Sequence, residues 1–528
     1  MSDFDTLNSR FGAGLSRRHL MSGAAALGAT TTLASGLIIP TAALAAEEPK
    51  KGGTLRLGLA GGSTTDSIDI TSYNDSVMIA TSHALFNSLV EWAQDGKWVP
   101  ELAEVVEPKN GAASWIFKLR KGIKFSNGKV FDADDVLYSL NLHRGADSKS
   151  GGKGAMASIK DIKKIDANTV EISLDAPDAD FPYNLTDYHA HMVPAGFKDW
   201  ANPVGTGAFT LEKFDPGVRV TLKGTGNYWK PGRGHLDRVE ITVINDGNAR
   251  QAALVSGQVD AINRVDGKAV EPLIKGGKFD ITRASGGYHV VMAMAVDQAP
   301  YNNPDLRLAM KYAMDREQIL KTLFQGFGKL GNDHPIPESD PYFNHQLPQT
   351  KHDLDKAKFH FKKAGGDPKI ILQASEAAFN GAVNMATLLQ ASCAQAGIKM
   401  DVKQEPADGF WSNVWLKGAF VGSYWGGRAA ATQMLAIAYK AGANWNETHW
   451  NDAKFEKLLA DARSETNEEK RKKYIWDCQE ILSTQGGALI PAFRDWVQAS
   501  AKKVGGISPH GGFDMDNGMI CEKAWIKA

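Results

Sequence analysis

Two periodicities alternate along this chain from Thr54 almost to its end, and that alternation limits the folds open to it. Period-two runs read as strands: Thr54-Leu55-Arg56-Leu57-Gly58-Leu59, Thr169-Val170-Glu171-Ile172-Ser173-Leu174, Val218-Arg219-Val220-Thr221-Leu222 and Arg238-Val239-Glu240-Ile241-Thr242-Val243-Ile244. A strand pair is expected from Trp115-Ile116-Phe117-Lys118-Leu119 and Lys124-Phe125 across Arg120-Lys121-Gly122. Helical spacing marks 74–91, where Val77, Ala80, Ala84, Leu85, Leu89 and Val90 form one stripe. After Pro304 longer helices dominate, at 305–325, 353–364, 382–396, 452–462 and 468–483, interleaved with strands at 369–372 and 399–402. Strands alternating with helices in both halves predict an α/β protein of at least two lobes. At 528 residues the chain is long enough for two or three separate cores.

The first 46 residues differ from the rest. Ser16-Arg17-Arg18-His19-Leu20 precedes an uncharged Ala/Gly/Thr/Leu stretch, and Ala43-Leu44-Ala45 ends it in a small-x-small pattern. This resembles a bacterial twin-arginine export signal over 1–45, which implies a periplasmic protein that crosses the membrane already folded. No cysteine stands at the cleavage point, so no lipid attachment is expected there. With 60 basic and 60 acidic residues, no global field favours nucleic acid or an anionic membrane. Cys393, Cys478 and Cys521 have no metal-ligand spacing and are expected as free buried thiols.

Local patterns exclude several chemistries. Asp132, Asp134 and Asp135 put three carboxylates in four residues, yet read as a helix start with Asp132 as N-cap. Gly326-Phe327-Gly328-Lys329-Leu330-Gly331 fits G-x-G-x-x-G by letters, but a helix precedes it and Asn332-Asp333-His334-Pro335 follows, so it is expected as a loop. Hydrolase and nucleotide-site motifs are absent, and spacing singles out no carboxylate pair, so no catalytic or nucleotide site is assigned. A periplasmic hydrolase is the alternative from another class.

Several pieces in order resemble the large extracytoplasmic solute-binding proteins of peptide-, opine- and nickel-type ABC importers. They are Gly52-Gly53-Thr54-Leu55-Arg56, Phe131 to Val136 with Ser139, Asn202-Pro203-Val204-Gly205-Thr206-Gly207-Ala208-Phe209 and Asn227-Tyr228-Trp229-Lys230. Pro304-Asp305-Leu306-Arg307-Leu308-Ala309, Asp315-Arg316 and Asp353-Leu354-Asp355-Lys356-Ala357 through Ala364-Gly365 complete the set. The resemblance implies a two-lobed periplasmic binding protein fold with a hinge and an extra domain in the first lobe. By analogy the main domain of the first lobe takes 50–90, 200–298 and 490–528, the extra domain 91–199 and the second lobe 299–489. It also implies a monomer that uses no cofactor, captures a small-molecule ligand and hands it to ABC permease membrane subunits.

The ligand class turns on one arginine. Gly418 to Ala438 places Arg428 among small, aromatic and aliphatic residues, and a guanidinium there needs an anion because it cannot shed its proton. Either an internal acid or a ligand supplies it. In dipeptide and oligopeptide binders this region offers an aspartate in a Tyr-Pro-Asp-Pro-like context for the peptide's amino group. Here it reads Tyr424-Trp425-Gly426-Gly427-Arg428-Ala429, which turns a cation anchor into a donor fork for a carboxylate. Tyr424 or Trp425 would stack on the guanidinium, Gly426 and Gly427 would let a ligand approach the backbone, and Trp411 and Trp445 would wall the pocket beside Asn446. Asp187, Tyr188 and His189 are further candidates, as are Tyr288 and His289. His189 and His191 would point the same way in a strand, but no third metal ligand is visible nearby and no metal site is assigned, so a metal or metal-chelate binder of the nickel type stands as the alternative within the same family.

Overall fold

The computed structural model describes residues 48–527, leaving aside 74, 146, 366–367, 380 and 407–409 and the side chains of 411 and 412. The export signal expected at 1–45 lies outside the described residues.

Eleven strands form one mixed sheet. It runs from Met400–Gln404 through Ile370–Ala374, Phe420–Trp425, Phe279–Met294, Ala488–Ala501, Ala261–Ile262, Thr54–Leu59, Arg238–Val243 and Arg219–Gly224 to Phe209–Asp215, with Gly328–Leu330 beside Ala488–Ala501. Phe279–Met294 and Ala488–Ala501, 16 and 14 residues long, pair antiparallel and join the two halves. The first of them borders Phe420–Trp425 on one side, and the second borders Ala261–Ile262 on the other.

The register of this central pair shifts between Ser285 and His289, so Gly286, Gly287 and Tyr288 bulge out of the ladder. The glycines are there because backbones converge. A Cβ on Gly287 would lie 2.6 Å from Gly427 Cα, and one on Gly286 would collide with the carbonyl of Gly511. The bulge thus ties the end of Phe420–Trp425 and the C-terminal segment to the point where the halves meet.

Each half has its own apolar core. Leu55, Leu57, Leu59, Val239 and Ile241 pack on one side, whereas Met292, Leu306, Met310, Leu372, Leu389 and Phe420 pack on the other. A further core around Phe117, Phe131, Val170, Ile172 and Phe181 lies against a separate four-stranded sheet, ordered Ala103–Lys109, Ser114–Leu119, Thr169–Leu174, Ile159–Asp166. Among the described residues no helix is long and apolar enough to cross a membrane. The three cysteines are free and buried, and burial pushes each thiol up to about 12.

Several local expectations are corrected. The helix expected over 74–91 is Ser76–Leu85, because Val90–Trp92 leaves it to pair with Trp98–Pro100. The 305–325 helix breaks into Pro304–Ala313 and Arg316–Phe324, where Asp315 caps the second by accepting from Gln318 N at 2.9 Å. Ser114–Leu119 pairs with Ala103–Lys109 and Thr169–Leu174, not with Lys124-Phe125, and Lys124 bridges Val130 instead. The 326–331 glycine segment is not wholly a loop, since Gly328–Leu330 pairs with Arg494, Phe493 and Ala492. Asp132 caps Ala133–Asn141 with Asp135 completing a capping box, as its spacing predicts.

Candidate functional site

The carboxyl ends of parallel strands are where open α/β sheets leave a crevice for ligands. In the second half Ile370–Ala374 runs parallel to Phe420–Trp425, and Arg428 follows that strand's carboxyl end. In the first half Thr54–Leu59 runs parallel to Arg238–Val243 and Ala261–Ile262. Beyond its end, Asn245 and Asn263 accept from Gly61 N and Ala60 N, and Asp514 accepts from Asn263, Arg264 and Ser76.

Strand pleat sorts the residues before Arg428. Tyr424 is exposed and Trp425 buried, paired respectively with Val290 and His289 on the neighbouring strand. Arg428 is half-buried. Its Nη1 donates to the carbonyls of Gly426 and Gly427 at 3.1 and 3.0 Å, and its guanidinium lies 6.0 Å from the Trp425 ring centroid. Among the described residues it forms no ion pair. Burial lowers its pKa, and the charge of Asp187 opposes this from beyond pairing distance.

Further aromatic rings cluster on and beside the strands next to Trp425. Tyr288 meets Tyr424 edge-on at 5.6 Å and stacks on Trp496 at 5.3 Å, and Trp496 leans on Phe513 at 5.2 Å. Arg494 lies 5.4 Å above the Tyr288 ring. Trp445 is 44% exposed and lies 6.0 Å from Trp425 and 6.3 Å from Trp415.

From the first half come Asp187, Tyr188 and His189. They form a turn, in which Asp187 Oδ1 accepts from both His189 N and His189 Nδ1, at 2.9 and 2.6 Å. His189 Nε2 donates to the Tyr73 carbonyl at 2.8 Å, so this imidazole is spent inside the protein. Burial pushes the Asp187 carboxyl up, but His189 and Arg428 outweigh it and hold the group below its ordinary value. Tyr188 packs 4.5 Å from His189 and faces the charges of Asp187, Arg428 and Asp75, which links the two sides of the site.

Other expected contacts fall elsewhere. Asn446 is buried, and its side chain serves its own loop, donating to Lys440 O and Trp450 O and accepting from Trp450 N. His289 is fully buried, its Nδ1 donating to Gly287 O at 2.9 Å. His191 bridges Ser88 and packs on Phe86 and His83, so it does not converge with His189. Gly427 is approached by Gly287 rather than left open, whereas a Cβ on Gly426 would meet only Arg428 Nη1 at 3.7 Å. The side chain of Trp411 lies outside the described residues. No group of three or more His, Cys, Asp or Glu among the described residues is placed to hold a metal. Hollows of about 490 and 630 Å³ lie away from Arg428, one lined by Pro203 and Phe214, the other by Trp229 and Arg233.

Sequence reasoning missed Arg494, Trp496 and Glu447. Arg494 and Trp496 stand two apart in a strand and so share a face, a signal visible in 488–501. Glu447 had no such signal. It is buried and accepts from Trp415 Nε1, Ser423 Oγ and Trp425 Nε1, donors whose convergence exists only in the fold. Burial raises its pKa, and those three hydrogen bonds oppose the rise.

Known proteins share this architecture. Residues 97–447 match the model of a family described as bacterial extracellular solute-binding proteins, family 5, middle region. Heme-binding protein A of Haemophilus influenzae is 28% identical over 461 residues, covering 79% of this chain and 82% of its own length. The dipeptide-binding protein of Escherichia coli is 26% identical over 488 residues, covering 83% and 89%. AgaA of A. tumefaciens R10, solved in complex with agropinic acid, superposes with a TM-score of 0.76 at 26% identity, covering 90% of this chain and 99% of that one. With the family's model matching well over half of its length, this two-lobed chain belongs to the bacterial extracellular solute-binding proteins of family 5.

Proposed function

We propose that this protein is a periplasmic receptor of an ABC importer that captures a small carboxylate-bearing solute between its lobes and delivers it to the permease. Arg428 carries the reading: a half-buried guanidinium among aromatic rings, bonded only to carbonyls of its own loop and paired with no carboxylate among the described residues. A ligand carboxylate would accept two charge-assisted hydrogen bonds from it, and Tyr424, Tyr288, Trp445 and Trp425 would flank the organic part. The agropinic acid complex of AgaA and the dipeptide-binding relative favour an opine-like, amino-acid-derived or peptide-like solute.

The division into 50–90, 200–298 and 490–528, 91–199, and 299–489 is supported by the separate apolar cores. The Phe279–Met294 and Ala488–Ala501 strands, bulged at Gly286 to Tyr288, are suited to act as the hinge. A ligand touching both lobes then favours the closed form by its differential affinity. Export by the twin-arginine route, a monomeric state and the absence of catalysis complete the proposal.

A thermal-shift panel of opines, dipeptides and sugars identifies the tightest solute, and calorimetry then compares the wild type with Arg428→Ala. Loss of one charge-assisted contact weakens binding by about 1.5–3 kcal/mol, roughly 10- to 150-fold. Equal affinity in the two proteins overturns the anion reading.

A further inference from the structure

Glu447 is the mirror image of Arg428: a carboxylate, 6% exposed, with no cation among its described partners. Oε2 accepts from Trp415 Nε1 at 2.7 Å and Ser423 Oγ at 2.6 Å, while Oε1 accepts from Trp425 Nε1 at 2.6 Å. An indole N–H can only donate, so both oxygens must accept, which suits a carboxylate and not an amide. Trp425 therefore stands between two opposite charges, its edge on Glu447 and its face 6.0 Å from Arg428.

We infer that Glu447 is a positioning residue of the ligand site, clamping Trp415 and Trp425 by their N–H groups so that Trp425 presents a fixed face to Arg428 and, with Trp445, a fixed wall to the solute. The inference rests on the reading of Arg428 as an anion anchor. Its physics has two parts. A carboxylate on the indole N–H adds electron density to the ring, which strengthens the face that attracts a cation. The indole also keeps the acid beyond pairing distance, so the guanidinium is steadied without being neutralised and remains open to a ligand anion. Glu447 follows Trp445 by two residues, and its N–H donates to the Trp445 carbonyl at 2.9 Å, so the third tryptophan is tied into the same turn.

Charge and position make opposite predictions here. Removing a negative group near an anion site by electrostatics alone tightens anion binding, whereas releasing the clamp loosens it. Glu447→Gln keeps the volume but turns an amide N–H₂ toward a donor. With agropinic acid as the probe, binding is expected to weaken at least fivefold in Glu447→Gln, and Arg428→Ala is measured beside it. In protein labelled with ¹⁵N at its 13 tryptophans, the Trp415 and Trp425 indole resonances, assigned by Trp→Phe variants, are expected to move upfield in Glu447→Gln. Affinity unchanged or tightened in Glu447→Gln while Arg428→Ala loses binding overturns this inference alone, and loss in neither variant overturns the anion reading itself. If the wild type takes no agropinic acid, the indole resonances decide: unmoved signals overturn the clamp. Should Glu447→Gln fail to fold, Trp415→Phe removes one donor, and its effect on the Trp425 resonance decides in the same sense.

Discussion

Arg428 and Arg471 invert what their neighbours in sequence suggest. Arg471 lies in Glu-Glu-Lys-Arg-Lys-Lys, a run that reads as a solvated face, yet it is 8% exposed and ion-paired with buried Asp180. Arg471 also donates to Ala462 O at 3.1 Å and lies 5.1 Å from the Tyr342 ring centroid. Beside it Arg463 pairs with Asp178 at 2.6 Å, and Thr432 Oγ1 donates to Asp180. These contacts fasten the 178–184 segment to the Ala431–Ala438, Ala453–Ser464 and Glu468–Gln485 helices. Arg428, amid apolar residues, has only its own carbonyls and an indole. A buried charge that the chain pairs holds the fold together, and one that it leaves unpaired is open to an outside partner.

The largest expected effect tests that contrast directly. Arg471→Ala strands the Asp180 carboxylate and is expected to cost about 3–5 kcal/mol of unfolding free energy in urea, against less than about 1 kcal/mol for Arg428→Ala. Equal losses in the two variants would break the comparison.

Next comes acid. His289 and His334, 0% and 1% exposed, are buried neutral, and burial lowers them from 6.5 to about 4 and about 3. Below 6.5 the unfolded chain takes up protons that the folded protein refuses until its own lower values, so stability falls as pH drops from 6.5 toward 4. His289 alone should contribute on the order of 3 kcal/mol to that fall. Melting curves across this window should flatten in His289→Gln. Burial is the main cause of the lowering at His289, so a flattening confined to His334 variants would show that His289 is not held neutral by burial.

The smallest effect separates two glycines. Gly287→Ala is expected to cost about 1–3 kcal/mol because its Cβ would meet the Gly427 backbone, whereas Gly426→Ala should cost less than about 0.5 kcal/mol. Thermal melts of both variants show whether the glycine pair before Arg428 is divided between backbone packing and open space.

Local signals carried much of the fold. Asp132, Asp353 and Asp452 cap helices where acid-before-apolar spacing puts them, and period-two runs such as Thr169–Leu174 are strands. Failures came where a distant partner overrode the local pattern. Gly328–Leu330 extends because Ala488–Ala501, far along the chain, offers it an edge. Within the site, Tyr424, Trp425, Arg428 and Tyr288 were legible as aromatic and cationic residues beside glycines, and the structure gathers them. Asn446 carried the same local look, but its loop consumes it.

The sequence by itself determined the alternation of elements, the family's ordered segments and the presence of one arginine in apolar company. Tertiary structure alone decided which charges meet. Asp180 reaches Arg471 and Glu447 reaches Trp415, whereas no carboxylate among the described residues pairs with Arg428. Periodicity records how deeply a residue is buried, since burial follows from the spacing of near neighbours. Electrostatic pairing depends on a few ångströms between segments far apart in the chain, and no local pattern encodes that distance.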